Sequence, residues 1–356
     1  MKQKETLIIA SGQAGVRLGE IFKNKHKYAD NILFFNTNKD DDIKEVNLLD
    51  TGEGADGSGR DPGIVIKSII PKNESMIKDK VTEALKLEKG VKTVVLINSL
   101  GGGSGSAINY HIIKNILIPF KAKDRNIDII SIMVLPFKSS GNPNNSNAAF
   151  MMNQYYNFID KISIIPVEND KIYTKPTDGN NTFDDTNDKI CSILSTIVNY
   201  EYFLGKTKTG GLNTLDRNEH SRIFSPSDGF LCYSKIGMNE ISKVESLLNN
   251  FNIMTCKKLI VMFRTPDGKS ADLNLINDID AMFSNQVKIF VESSLDKDAE
   301  PYIEFLVNGV LLPDYFEGNL ETILDRVDKL TQNKEDDKGK NSKNLSRAKN
   351  KNLLGL

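Results

Sequence analysis

Gly101-Gly102-Gly103-Ser104-Gly105-Ser106-Ala107 is the stretch that decides the fold of this 356-residue chain. It follows the apolar, β-branched run Val91–Asn98 and leads into Ala107–Phe120, which reads as a helix. Glycines between a strand and a helix let the backbone turn sharply and aim several N–H groups at one point. The helix beyond adds its partial positive end, and Ser104 and Ser106 add hydroxyl donors. Such a loop suits a phosphate chain. It is not a GxxxxGK[ST] loop, because it has no lysine, and Ile108 stands where GxGxxG needs its third glycine.

Outward from this loop, three more small, polar loops stand at strand ends. Gly12-Gln13-Ala14-Gly15 follows Leu7–Ala10, Asn36-Thr37-Asn38 follows Ile32–Asn36, and Gly57-Ser58-Gly59-Arg60-Asp61-Pro62 lies in the next connection. Further strands are expected at Ile127–Leu135 and Ile162–Val167, with crossover helices at Glu74–Glu88 and Asn144–Ile159. Right-handed connections then give an α/β fold, a doubly wound and mostly parallel sheet whose strand ends form the ligand crevice. Loop position also makes Arg60, Asn142 and Asn145 candidates for phosphate or ribose contact.

The order and spacing of these loops resemble the tubulin/FtsZ superfamily of GTPases. Gly101 to Ala107 resembles its signature GGGTGSG loop, Gly12 to Gly15 its first phosphate loop, and Gly57 to Pro62 the loop that senses the terminal phosphate. Phe183 and Asn187 resemble the pair that stacks on and hydrogen-bonds to guanine, and Asn169-Asp170-Lys171 the loop just upstream. The resemblance implies GTP/GDP as the nucleotide, bound by Gly12, Gln13, Ala14, Gly15, Asn36, Asn38, Gly57, Ser58, Gly59, Arg60, Gly101, Gly102, Gly103, Ser104, Gly105, Ser106, Asn169, Phe183 and Asn187. An asparagine side chain meets both the O6 acceptor and the ring N–H of guanine, whereas adenine presents the reverse pattern.

Gly210-Gly211-Leu212-Asn213-Thr214-Leu215-Asp216-Arg217-Asn218-Glu219 resembles the family's catalytic loop, which enters the nucleotide site of the neighbouring subunit. The resemblance implies that Asp216 and Glu219 polarise the attacking water and that Asn213 contacts the phosphates. Asn213 stands one residue further from Asp216 than in tubulin or FtsZ. A carboxylate facing a triphosphate needs an intervening cation, so Mg2+ is expected, held largely by phosphate oxygens and water, with no dedicated protein metal site. Subunits that stack head to tail make open filaments and hydrolyse nucleotide only at their junctions.

The implied organisation is a GTPase domain over 1–182, a central helix and catalytic loop over 183–219, a smaller α+β domain over 220–318, and a last helix with a flexible tail over 319–356. Apolar positions from Ile190 to Leu204 give the central helix. A helix at Asn239–Leu248, strands at Lys257–Arg264, Val287–Glu292 and Tyr302–Leu311, and a helix at Leu320–Leu330 give the rest. Beyond Asp337 the chain carries six basic residues and no acid before Leu353-Leu354-Gly355-Leu356.

The basic tail, the shifted Asn213 and an Asn/Lys/Ile-rich composition resemble the partition branch of the superfamily, TubZ. That branch implies filaments that move plasmid or phage DNA, coupled through the tail to a DNA-binding adaptor (TubR-like) on a centromere-like site. An FtsZ-like division GTPase, a non-hydrolysing nucleotide-binding scaffold and a dinucleotide oxidoreductase are the other readings. The formal net charge of -1 gives no whole-chain affinity for nucleic acid. Cys191, Cys232 and Cys256 lie far apart without a CxxC pair, and no apolar run approaches a membrane span, so a cytoplasmic protein of a bacterial host without membrane contact is expected.

Overall fold

The computed structural model describes residues 6–26, 31–38, 45–52, 57–87, 91–123, 127–137, 140–168, 184–198, 222–227, 229–238, 256–266, 272–282, 287–295 and 300–310. The chain opens with β1 (Thr6–Ser11), α1 (Gly12–His26), β2 (Ile32–Asn36) and β3 (Val46–Leu48). A helical rod follows, built from α2 (Pro62–Ile64), a π turn (Val65–Ile69) and α3 (Ile70–Leu87). Next come β4 (Thr93–Ser99), α4 (Ser104–Ile112), a second π turn (Ile113–Leu117), α5 (Ile118–Lys121), β5 (Asp128–Leu135), α6 (Asn142–Tyr156), β6 (Ser163–Glu168) and α7 (Asp184–Val198).

The six strands form one sheet in the order β3-β2-β1-β4-β5-β6, every pair parallel. The order reverses between β1 and β4, so the crevice of this doubly wound sheet opens beyond Ser11 and Ser99. Successive residues feed opposite cores. Leu7 and Ile9 pack with Ile77, Val81 and Ile108 of the rod and α4, whereas Ile8 packs with Leu18 and Phe22 of α1 and Leu194 of α7. Burial on both faces is why these strands read as continuous apolar runs rather than alternating ones.

Two prolines shape the helices beside the sheet. Pro71 and Pro119 each follow an isoleucine that ends a π turn, where Ile70 N–H bonds Val65 O and Ile118 N–H bonds Ile113 O. A proline inside a helix lacks an N–H and crowds the preceding turn. The widened turn absorbs that crowding without breaking the rod.

A second sheet has the order β7-β10-β8-β9, from β7 (Phe230–Gly237), β8 (Lys258–Pro266), β9 (Val287–Leu295) and β10 (Tyr302–Val310), with α8 (Leu273–Met282) between β8 and β9. β10 runs antiparallel to β7 and β8, while β8 and β9 are parallel, a pairing that α8 permits as the crossover. Residues 222–227 join the two sheets. Ser163 Oγ of β6 donates to Phe224 O, and Asn308 Nδ2 of β10 donates to Ile223 O at 2.8 Å and Ser225 O at 3.0 Å.

The expected strands and crossover helices of the first half are present. α1, β3, β7 and α8 are additional to the elements expected from sequence, and the rod begins at Pro62, twelve residues before the expected Glu74. The expected helices at Asn239–Leu248 and Leu320–Leu330 lie outside the described residues. The three cysteines are free and buried, and burial pushes the Cys256 thiol up to about 11.

The second sheet holds one buried ion pair. Arg264 Nε lies 2.8 Å from Glu304 Oε2, with the side chains 3% and 1% exposed, and Tyr233 OH donates to Glu304 Oε1 at 2.6 Å. Removing one member of such a pair strands the other charge, at a cost of about 3–5 kcal/mol. Arg264→Met is therefore expected to lower the urea midpoint sharply, and Arg264→Met with Glu304→Leu to recover most of the loss, as read by circular dichroism.

Candidate functional site

The site begins with a contact that only glycine permits. α1 starts directly after β1 and α4 starts a few residues after β4, so neighbouring parallel strands deliver two helix N-termini side by side. Gly12 has φ +70°, and a Cβ there would lie 2.7 Å from both Cα and N of Gly105. A Cβ on Gly105 would in turn overlap the Ser11 carbonyl oxygen.

Each helix N-terminus carries roughly half a positive charge on unsatisfied N–H groups. Neither α1 nor α4 has an acidic residue in its first turn, and Gly103 at the N-cap of α4 provides no side chain. The rod is different, because Asp61 Oδ1 accepts from Gly63 N at 2.7 Å and Ile64 N at 3.3 Å. The protein thus neutralises the helix end beside the crevice and leaves the two within it to an outside anion.

Three hydroxyls from three loops meet at this point. Ser104 Oγ lies 2.6 Å from Thr37 Oγ1 and donates to Ser58 Oγ at 3.0 Å. The loop after Gly57 lies directly on the α4 loop, since a Cβ on Gly103 would come within 2.6 Å of Ser58 Oγ and 2.7 Å of Asp61 N. Asn147 of α6 clamps both loops, its Nδ2 donating to Arg60 O at 2.5 Å and Gly101 O at 3.2 Å. Arg60 is the one non-glycine residue with positive φ, +62°, among those described, and such backbone strain concentrates at binding sites.

Below the loops, buried amides fix the register. Ser11 Oγ donates to Asn109 Oδ1 at 2.6 Å and Asn109 Nδ2 to Asn98 Oδ1 at 2.9 Å, joining β1, α4 and β4. Tyr155 OH donates to Ser106 O at 2.8 Å, and burial holds its pKa well above the usual tyrosine range, so it remains a donor.

Of the residues expected from sequence, Gly12 to Gly15, Gly57 to Arg60 and Gly101 to Ser106 converge around this crevice. Gln13, Gly59 and Arg60 are exposed; Ser58, Gly105 and Ser106 are buried. Asn36 is turned inward, its Oδ1 accepting from Thr37 N at 2.9 Å and its carbonyl from Leu49 N at 2.8 Å, so it shapes the loop that presents Thr37. Asn38 and Asn187 are half-buried, the latter in the first turns of α7, which packs against α1. Asn169, Phe183, Asn213, Asp216 and Glu219 lie outside the described residues. Sequence reasoning missed Thr37 as a hydroxyl donor and Asn147 as a clamp. Thr37 was legible as the centre of a loop already singled out, while Asn147 carries no local signal.

Comparison with known proteins agrees with this geometry. Residues 64–175 match the family described as Tubulin/FtsZ family, GTPase domain. A protofilament of TubZ from Bacillus thuringiensis serovar israelensis in its GTPγS form has TM-score 0.70 at 15% identity, covering 94% of each chain. The GTPγS-bound protofilament of CetZ2 from Haloferax volcanii has TM-score 0.69 at 16% identity, covering 92% of this chain and 99% of that one. TubZ of Clostridium botulinum phage c-st has TM-score 0.64 at 16% identity, covering 93% and 99%. No curated protein sequence is significantly similar to this chain.

Two substitutions separate folding from binding. Gly105→Ala overpacks a backbone contact and is expected to cost at least about 1–3 kcal/mol. Gly102 has nothing within 4 Å of its missing Cβ, so Gly102→Ala should keep the melting temperature and weaken binding of fluorescent GDP.

Proposed function

With the tubulin/FtsZ fold as its premise, we propose that this chain binds and hydrolyses GTP and polymerises head to tail, each subunit completing the site of the next. The observation that carries the reading is the pair of glycine-apposed, acid-free helix N-termini at the β1/β4 switch point, ringed by the hydroxyls of Thr37, Ser58 and Ser104. A dinucleotide oxidoreductase shares this strand order but places its glycine fingerprint after the first strand. Here the glycine-rich run follows β4.

Phosphoryl transfer asks the protein mainly to position groups and stabilise charge. The N–H groups at the start of α1 and α4 hold the phosphates, and the loop from Gly57 to Asp61 meets the terminal one. Phe183 and Asn187 read the guanine. Mg2+ fits this donor set, because hydroxyl and phosphate oxygens are the hard ligands it prefers and it usually retains several waters. The described residues hold no group of three His, Cys, Asp or Glu side chains that would make a separate metal centre. Bound there, Mg2+ would neutralise charge on the phosphates.

The catalytic groups come from the next subunit, where Asp216 and Glu219 orient water and Asn213 touches phosphate. Residues 222–227, which follow that loop in sequence, are tied to β6 and β10. Similarity to protofilaments of TubZ and CetZ2 supports stacking. The finer reading is plasmid or phage DNA partition through a TubR-like adaptor bound to the basic tail in a bacterial cytoplasm. Its support is the position of Asn213, the charge of the tail and the likeness to TubZ structures. No helix among the described residues is long and apolar enough to cross a membrane.

Phosphate release per chain should rise with protein concentration, together with light scattering. Asp216→Ala should still bind GTP and assemble, with turnover down by at least about tenfold, the scale of a lost water-positioning group. Equal turnover per chain in dilute, unassociated protein would refute the shared site.

A further inference from the structure

The 57–61 loop closes on itself in a tight turn. Asp61 N donates to Ser58 O at 3.1 Å, and both central residues have positive φ, Gly59 at +61° and Arg60 at +62°. Glycine adopts that conformation freely, whereas Arg60 holds it against the crowding of its own Cβ. The turn runs straight into the rod, because Asp61 is the residue that caps it. A strained residue of this kind persists where the surrounding structure fixes it.

Two contacts from other elements do so. The first is with Gly103, where a Cβ would come within 2.7 Å of Asp61 N and 2.9 Å of the Arg60 carbonyl carbon. Close packing of that kind limits the approach of the two loops and carries no direction. The second is directional, since Asn147 Nδ2 donates to Arg60 O at 2.5 Å and to Gly101 O at 3.2 Å. A primary amide nitrogen has two hydrogens, one for each carbonyl, whereas a hydroxyl has one and a carboxylate none.

Asn147 is carried on a fixed support. Met151 and Tyr155 lie one and two turns further along the same face of α6, both fully buried, and Tyr155 OH donates to Ser106 O of α4. Ala148 and Met152 are buried beside them. α6 is thereby locked to the helix that follows the 101–103 loop, and Asn147, half-buried in its second turn, joins that loop to the 57–61 turn.

We propose that Asn147 is a positioning residue that sets the preference for GTP over GDP, by holding the 57–61 turn against the 101–103 loop in the place where a terminal phosphate meets it. This role rests on the GTPase reading. The turn serves a nucleotide with a third phosphate and not one with two, so ordering it in advance favours GTP alone. Without the clamp, bound GTP must order the turn and its left-handed Arg60 at its own expense, and GTP affinity falls while GDP affinity does not.

Asn147→Leu tests this, because leucine keeps the branching of asparagine at Cγ and has neither a donor nor a charge to act on phosphate. Asn157→Ala is the control, since Asn157 Nδ2 also donates to two carbonyls, Asn153 O and Gln154 O, at the far end of the same helix. Affinities of the full chain for GTPγS and GDP are measured by titration calorimetry on protein too dilute to assemble, alongside amide exchange of the nucleotide-free protein. Asn147→Leu should lose about tenfold in GTPγS affinity, the scale of one to two hydrogen bonds, and stay within about twofold for GDP. Exchange should accelerate across 57–61 and not across 12–15, and Asn157→Ala should keep the parent ratio of affinities. Should Asn147→Leu fail to fold, Asn147→Ser, with one hydrogen in place of two, should shift the ratio in the same direction. An unchanged ratio, an equal loss for both nucleotides, or the same change in the control means that Asn147 merely supports α6, and overturns the proposal. Parent protein that binds neither nucleotide refutes the GTPase reading and this role with it, a result recognisable without any variant.

Discussion

Two helix N-termini packed against each other are electrostatically unfavourable unless something negative lies between them. Gly12 and Gly105 make that approach possible by removing both Cβ atoms from the contact. The parallel pairing of β1 with β4 makes it obligatory, since each strand passes directly into its glycine turn. Much of the crevice follows from this constraint. The Ser11–Asn109–Asn98 chain secures the register beneath it, the three hydroxyls gather above it, and the helix that begins just outside has its own cap in Asp61. An anion of several charges is the natural complement to such a site, and a nucleotide's phosphate chain is the anion that an α/β switch point accommodates.

The loops at the site are joined to one another as well as to the phosphates they would hold. Asn147 spans Arg60 and Gly101, and Ser104 spans Thr37 and Ser58. Loss of a terminal phosphate would thus be felt by all three loops together and by the helices that leave two of them. Linked loops of this kind are how loss of one phosphate reorders a segment in phosphate-ordered switches. Residues 222–227 are tethered to both sheets, to β6 through Phe224 and to β10 through Ile223 and Ser225.

Much of this was legible in the sequence because phosphate loops are written in glycine and placed at strand ends. Residues 101–106 announced themselves by composition, and the apolar runs of β1, β4 and β5 by their burial on both faces. What escaped notice has physical reasons. α1 opens with the glycines that mark a loop, so its helical part was not recognised. The rod begins at Pro62, twelve residues before the expected Glu74, and the π turn ahead of Pro71 accommodates the ring inside it. β3 is only three residues long. Asn147 acts through tertiary contact alone, and the Asn36 amide oxygen accepts from Thr37 N.

The central claim is that the phosphate chain, more than the base, is what the crevice grips. Isothermal titration of dilute protein with GTP and with guanosine tests it most directly. The account predicts one GTP per chain and a loss of affinity of several orders of magnitude for guanosine, which presents nothing to the ends of α1 and α4. Guanosine binding as tightly as GTP would contradict it.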